Sequence, residues 1–154
     1  GMEVVVARPH GWDFDPDDMA LLRRTAREGG GILQVTEDMD EACAGADVVY
    51  AKSWGSLEHF GEPEAEKARR SEMKDWIRTE ERVASTRNGA GLVMHCLPVR
   101  RNVEIEDRVL DGPNSVVIDQ AENRLHVQRA LLLDLLGAAP DRQSLLHGHP
   151  HEPA

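Results

Sequence analysis

His95-Cys96-Leu97-Pro98-Val99-Arg100-Arg101 places an imidazole, a thiol, a proline-fixed turn and two guanidinium groups next to one another. The apolar run Leu92 to Met94 precedes them, bounded by Gly91, and reads as a buried strand. In open α/β sheets, ligands collect outside the carboxyl ends of the strands. A thiol and a bidentate cation delivered there suit an anion and a group that reacts beside it. Read alone, Cys96 would be a small hydrophobe, and the two arginines would be solvated caps of a strand.

Further candidate residues come from three other segments. Arg8-Pro9-His10 closes Glu3 to Ala7, where Val4-Val5-Val6 reads as a strand, and Lys52-Ser53-Trp54 closes Asp47 to Tyr50. Asp119 to Arg124 follows Ser115 to Ile118, which reads as a fifth strand. Four segments following four strands lie on one edge of a sheet, whereas surface groups without a function would scatter over both edges.

The elements between them alternate with the strands. Pro16 suits the first turn of a helix, Met19, Leu22 and Ala26 recur on one of its faces, and Gly29-Gly30-Gly31 stops it. That glycine run follows a helix and opens a strand, the reverse of a phosphate cradle. Ile32 to Val35 reads as a strand and Asp38 to Ala44 as a short helix. Glu64 to about Thr86 reads as a charged helical region with imperfect periodicity, and Asp107 to Leu110 as one helical turn. The last helix carries Leu125, Leu132 and Leu136 on one face and ends at Gly137 and Pro140. Alternation of this kind predicts an α/β fold, a Rossmann-like parallel sheet with helices on both faces. The predicted domain covers 1–140, with a polar tail over 141–154.

Composition narrows the partners. The 154 residues carry 28 acidic against 18 basic side chains, a net charge of −10, which argues against nucleic acid and anionic membranes. An anionic substrate then needs locally gathered cations, which adds weight to the Arg100-Arg101 pair. No run approaches the roughly 20 apolar residues of a membrane span. Cys43 and Cys96 are too few for a disulfide framework and read as reduced thiols of a cytoplasmic protein. No cofactor and no metal is called for. The tail histidines His147, His149 and His151 read as part of a mobile end.

His-Cys-Leu-Pro followed by Arg-Arg-Asn, together with Gln120-Ala121-Glu122-Asn123-Arg124-Leu125-His126-Val127-Gln128-Arg129-Ala130, resembles the amino-acid-binding domain of the ornithine carbamoyltransferase family, and its N-acetylornithine branch in particular. The resemblance covers nearly all of the chain except the tail. It implies that Cys96 and Leu97 line the junction between carbamoyl phosphate and the attacking amine, and that Arg124 reaches the carbamoyl group. Arg100 would sit beside the phosphate. Lys67, Lys52 and the Leu97 backbone would meet N-acetylornithine, although Lys67 alone reads as a solvated helix residue. Cys96 is not read as a covalent nucleophile, because carbamoyl phosphate is already activated.

Ordinary ornithine carbamoyltransferases carry Ser-Met-Gly where this chain has Ala51-Lys52-Ser53-Trp54-Gly55. A free α-ammonium needs an acidic partner and an acylated nitrogen does not, so the loop favours an Nα-acyl ornithine. Ornithine and N-succinylornithine remain alternatives, as does a non-catalytic amino-acid-binding or oligomerising fragment. The family's Ser-x-Arg-Thr and His-Pro-x-Gln motifs for carbamoyl phosphate do not occur in these residues, so the chain by itself is expected to be inactive. The family domain's first strand is also missing. That leaves the middle of the sheet empty and leads to the expectation of a homodimer or higher homo-oligomer.

Overall fold

The computed structural model describes residues 1–53, 55 and 58–137. Within them the order is β1 (Glu3–Ala7), α1 (Pro16–Glu28), β2 (Ile32–Thr36), α2 (Met39–Cys43), β3 (Val48–Ala51), α3 (Pro63–Ser71), α4 (Glu80–Ala84), β4 (Leu92–His95), α5 (Asp107–Leu110) and α6 (Val117–Leu135). The chain divides into two compact units, Gly1–Val117 and Ile118–Ala154. The predicted boundary at 140, the tail and Trp54 lie outside the described residues.

Local chemistry sets the element ends. Asp15 Oδ1 accepts from the Asp17 and Asp18 amides at 2.8 and 3.3 Å ahead of Pro16, which opens α1. Gly30 ends that helix at φ +66°, a conformation that costs glycine little. Asp38 caps α2 in the same way as Asp15, through the Asp40 and Glu41 amides at 2.9 and 3.0 Å. Gly91, at the mouth of β4, tolerates no side chain. A Cβ there would lie 2.6 Å from the Thr86 Cβ and 2.9 Å from the Ala46 carbonyl.

The strands form two parallel pairs, β1 with β2 and β3 with β4, registered Val5 to Gln34 and Val49 to Val93. Parallel pairs joined through helices are the α/β pattern expected from the alternation of strands and helices. Among the described residues, no strand lies between β1 and β3. Two apolar clusters hold the first unit together. Ala51, Val83, Val93, Ile105 and Val109 form one, and Met39, Cys43 and Val49 form the other, with Trp76 packed against it. Each fully buried Val or Ile contributes about 1.5–3 kcal/mol.

Three expectations need correction. Ser115 to Ile118 is not a strand: a single bridge joins Ser115 to Val93, and α6 begins at Val117. That bridge is made by Val93, which accepts from the Val116 amide and donates to the Asn114 carbonyl. Helix-forming Ala121 and Glu122 follow at once. Consequently Asp119 to Arg124 lies inside a helix rather than after a strand. The charged region Glu64 to Thr86 breaks into α3 and α4, and Arg78 between them is extended and bridges Ile105. Its imperfect periodicity reflects two helices facing different surroundings.

Candidate functional site

Beyond the end of β4 the chain turns sharply. Leu97 takes a left-handed φ of +42° and is joined to Pro98 by a cis peptide bond. What holds Leu97 in that conformation is His95, which is 1 % exposed and accepts the Leu97 N–H on Nδ1 at 3.0 Å. Since Nδ1 accepts, the ring proton lies on Nε2, which donates to Glu104 Oε2 at 3.1 Å. Burial pushes the His95 pKa down and outweighs the pull of Glu104, and Lys52 and Arg78 push the same way as burial. The imidazole is therefore neutral, in one tautomer.

Glu104 is fully buried and joins several segments. Its Oε2 also accepts the Arg100 N–H at 3.1 Å, and its Oε1 takes Arg100 Nε at 2.6 Å. Burial disfavours its charge, but the hydrogen bonds from the Arg100 backbone and side chain, and from Ser53, prevail and hold its carboxyl below the usual range. Ser53 follows β3 and Arg100 follows β4, so one carboxylate ties the two strand-end loops together. Arg101 turns away, paired with Asp107 at 2.8 Å and Asp111 at 2.7 Å.

The structure thus brings Cys96, Leu97, Arg100 and the Lys52-Ser53 segment to one edge. Cys96 is half-buried and free of any disulfide, as is Cys43. Lys67 is exposed on α3, one turn before Arg70, whose guanidinium feels the charges of Arg100 and Glu104. Arg124 is exposed on α6, in the second compact unit. Sequence reasoning missed Glu104 and Arg78. The spacing of Glu104 four residues after Arg100 was a weak signal, because exposed pairs share it. Among the described residues, no cluster of His, Cys, Asp or Glu could hold a metal ion.

The strand-end loops form an edge where an uncharged imidazole fixes a backbone turn and Arg100 is oriented by a buried carboxylate. Such an edge presents backbone groups and cations to a polar, partly anionic ligand.

Residues 1–135 match the family described as "Aspartate/ornithine carbamoyltransferase, Asp/Orn binding domain". The N-acetylornithine carbamoyltransferase of Xanthomonas campestris pv. campestris is 48 % identical over 138 residues, covering 89 % of this chain and 40 % of that protein. An ornithine carbamoyltransferase of Bifidobacterium longum subsp. infantis is 47 % identical over 147 residues, covering 95 % of this chain and 44 % of the relative. A crystal structure of acetylornithine transcarbamylase complexed with acetylcitrulline superposes with a TM-score of 0.79 at 48 % identity, over 88 % of this chain and 40 % of the other. The chain therefore spans about two fifths of the length of these relatives.

Proposed function

Because the chain belongs to the aspartate/ornithine carbamoyltransferase family, as its amino-acid-binding domain, we propose that it serves an enzyme of arginine biosynthesis. That enzyme moves a carbamoyl group from carbamoyl phosphate to the δ-amine of N-acetylornithine, releasing N-acetylcitrulline and phosphate. The observation that carries the reading is Glu104 holding the Ser53 and Arg100 loops together around a neutral His95.

The reaction needs an unprotonated amine close to an activated carbonyl, donors for the oxyanion, and cations for the departing phosphate. In this proposal Cys96 and the Leu97 carbonyl orient the amine protons. Arg124 donates to the carbamoyl oxygen, and Arg100 faces the phosphate. Lys52 and Lys67 hold the carboxylate side of the acylated amino acid. The bond from δ-nitrogen to carbonyl carbon forms as the carbon–oxygen bond to phosphate breaks, and the amine proton passes to the departing phosphate.

Calorimetric titration of the purified chain tests the assignment. N-acetylornithine should give saturable heat, ornithine should bind more weakly, and carbamoyl phosphate alone should give none. Stronger binding of ornithine would favour the second reading, an ornithine carbamoyltransferase domain, which the 47 % identical Bifidobacterium relative keeps in view.

A cytoplasmic, homo-oligomeric state, dimer or higher, belongs to the same proposal. No helix among the described residues is long and apolar enough to cross a membrane. The exposed Leu125, Leu132, Leu135 and Leu136 of the second unit are suited to contact with another subunit. Light scattering across a dilution series should show mass above 17.1 kDa at micromolar concentration; a monomer throughout would remove the oligomer from the proposal.

A further inference from the structure

Of the four asparagines in the chain, Asn88 is the one followed by glycine; Asn102, Asn114 and Asn123 precede Val103, Ser115 and Arg124. That pairing has chemical consequences. A glycine amide has no side chain beside it to shield it, so it is the nitrogen best able to attack the side-chain carbonyl carbon of the asparagine before it. Asn88 is also exposed to the water that would complete such a reaction.

The turn Arg87–Gly89 holds the two reacting groups apart. Asn88 sits in the left-handed region at φ +55° and ψ +22°, a conformation that asparagine tolerates. Gly89 follows at φ +66°, and its amide donates to the Thr86 carbonyl at 2.9 Å. While that bond lasts, the Gly89 nitrogen keeps its proton. To reach the Asn88 side chain the nitrogen must swing about the Asn88 ψ angle, and that rotation breaks the bond.

The surroundings leave no slack. The Asn114 side-chain amide donates to the Gly89 and Gly91 carbonyls at 3.1 and 3.0 Å. The Gly91 amide donates to the Thr86 hydroxyl at 3.0 Å, and a Cβ on Gly91 would lie 2.6 Å from the Thr86 Cβ. Arg87 fixes the other side, through its amide on the Ala46 carbonyl at 3.1 Å and its guanidinium on Asp47 at 2.7 Å. An added main-chain atom between residues 88 and 89 has no room while these contacts hold.

We propose that Asn88-Gly89 is a self-modification site, latent in the closed turn and reactive when the turn opens. On opening, the Gly89 nitrogen bonds to the Asn88 Cγ, and ammonia leaves with the amide proton, closing a cyclic imide. Water then adds to one of the two imide carbonyls. One product is aspartate, with the main chain restored. The other is isoaspartate, whose main chain runs through the side-chain methylene. Aspartate fits the left-handed turn, whereas isoaspartate lengthens a segment without slack and holds the entry to β4 open. This chemistry does not depend on the transfer reaction or on the Cys96 loop.

Incubating the purified full chain at mildly alkaline pH, folded and in urea, and mapping its peptides by mass tests the proposal. Asn88 should convert before the other asparagines, at least about tenfold more slowly in the folded chain than in urea, because the reaction waits on local opening. The slowing should equal the hydrogen-exchange protection of the Gly89 amide in the same folded chain. Asn114→Ala, which loosens the turn, should speed conversion in the folded state and leave the rate in urea unchanged. Should that variant not fold, the match with Gly89 protection in the unmodified chain decides. Chain bearing isoaspartate, detected by methyl transfer from an isoaspartyl methyltransferase, should lose Gly89 protection, and Asn88→Asp should keep it. Equal rates folded and in urea, conversion of another asparagine before Asn88, or isoaspartate formed with Gly89 protection intact would each overturn the inference.

Discussion

Glu104 Oε2 accepts the Nε2 proton of His95 at 3.1 Å, in a pair from which solvent is excluded. The other ring nitrogen holds the Leu97 amide at 3.0 Å, so the carboxylate acts through the imidazole on a left-handed residue at the strand end.

Removing that carboxylate should destabilise the fold. Glu104→Ala leaves the buried Nε2–H of His95 without an acceptor, which costs about 1–3 kcal/mol, while the part-exposed Arg100 guanidinium can turn to water. Urea unfolding should show a midpoint well below that of the parent chain. An unchanged midpoint would mean that water replaces the carboxylate at no cost.

The His95 tautomer is open to direct observation. Long-range ¹⁵N–¹H spectra at neutral pH should show Nε2 protonated and Nδ1 bare. In Glu104→Gln the amide can still accept from Nε2, so the tautomer should persist. In Glu104→Ala the two forms should mix.

Acid should weaken the chain in two stages. The His95 pKa lies below its ordinary 6.5 in the folded state, so the stability it contributes is complete above about pH 6.5 and is lost as pH falls through the folded value. Glu104 is likewise depressed below 4.5, and its contribution disappears in the more acid range. Melting temperatures measured from pH 7.5 to 4 should hold above about pH 6.5 and fall below it. His95→Gln should flatten the upper stage relative to the parent. A parent curve flat between pH 7 and 5.5 would contradict a buried neutral imidazole.

The motifs expected to bind carbamoyl phosphate do not occur in these residues, so the purified chain should not form citrulline or N-acetylcitrulline from carbamoyl phosphate. Colorimetric ureido detection against a buffer blank checks this. Clear turnover, from protein free of host enzyme, would require a phosphate site among the residues present.

For Arg124 the informative setting is a longer enzyme that carries a carbamoyl phosphate domain. Arg124→Lys there should lower kcat roughly 100-fold, the cost of one oxyanion donor. Folding should change little, because lysine keeps the charge but not the fork. Parent-like kinetics would make Arg124 a surface residue of α6.

Short-range pattern determined much of this protein from sequence alone. Val4-Val5-Val6 and Leu92-Val93-Met94 announce strands, Asp15-Pro16 and Asp38 announce helix starts, and His95-Cys96-Leu97-Pro98 marks both the strand-end loop and the family. These signals are legible because caps, turns and periodicity act between neighbours a few residues apart. Only the tertiary structure decided that Glu104 would be buried against His95, nine residues away, and that Arg78 would leave the exposed charged run and enter the interior. It also decided that Ser115 would make one bridge and yield to α6. In each case the outcome depends on which distant segments meet and which polar groups they leave to be satisfied. Neither the residue type nor its neighbours in sequence carry that information.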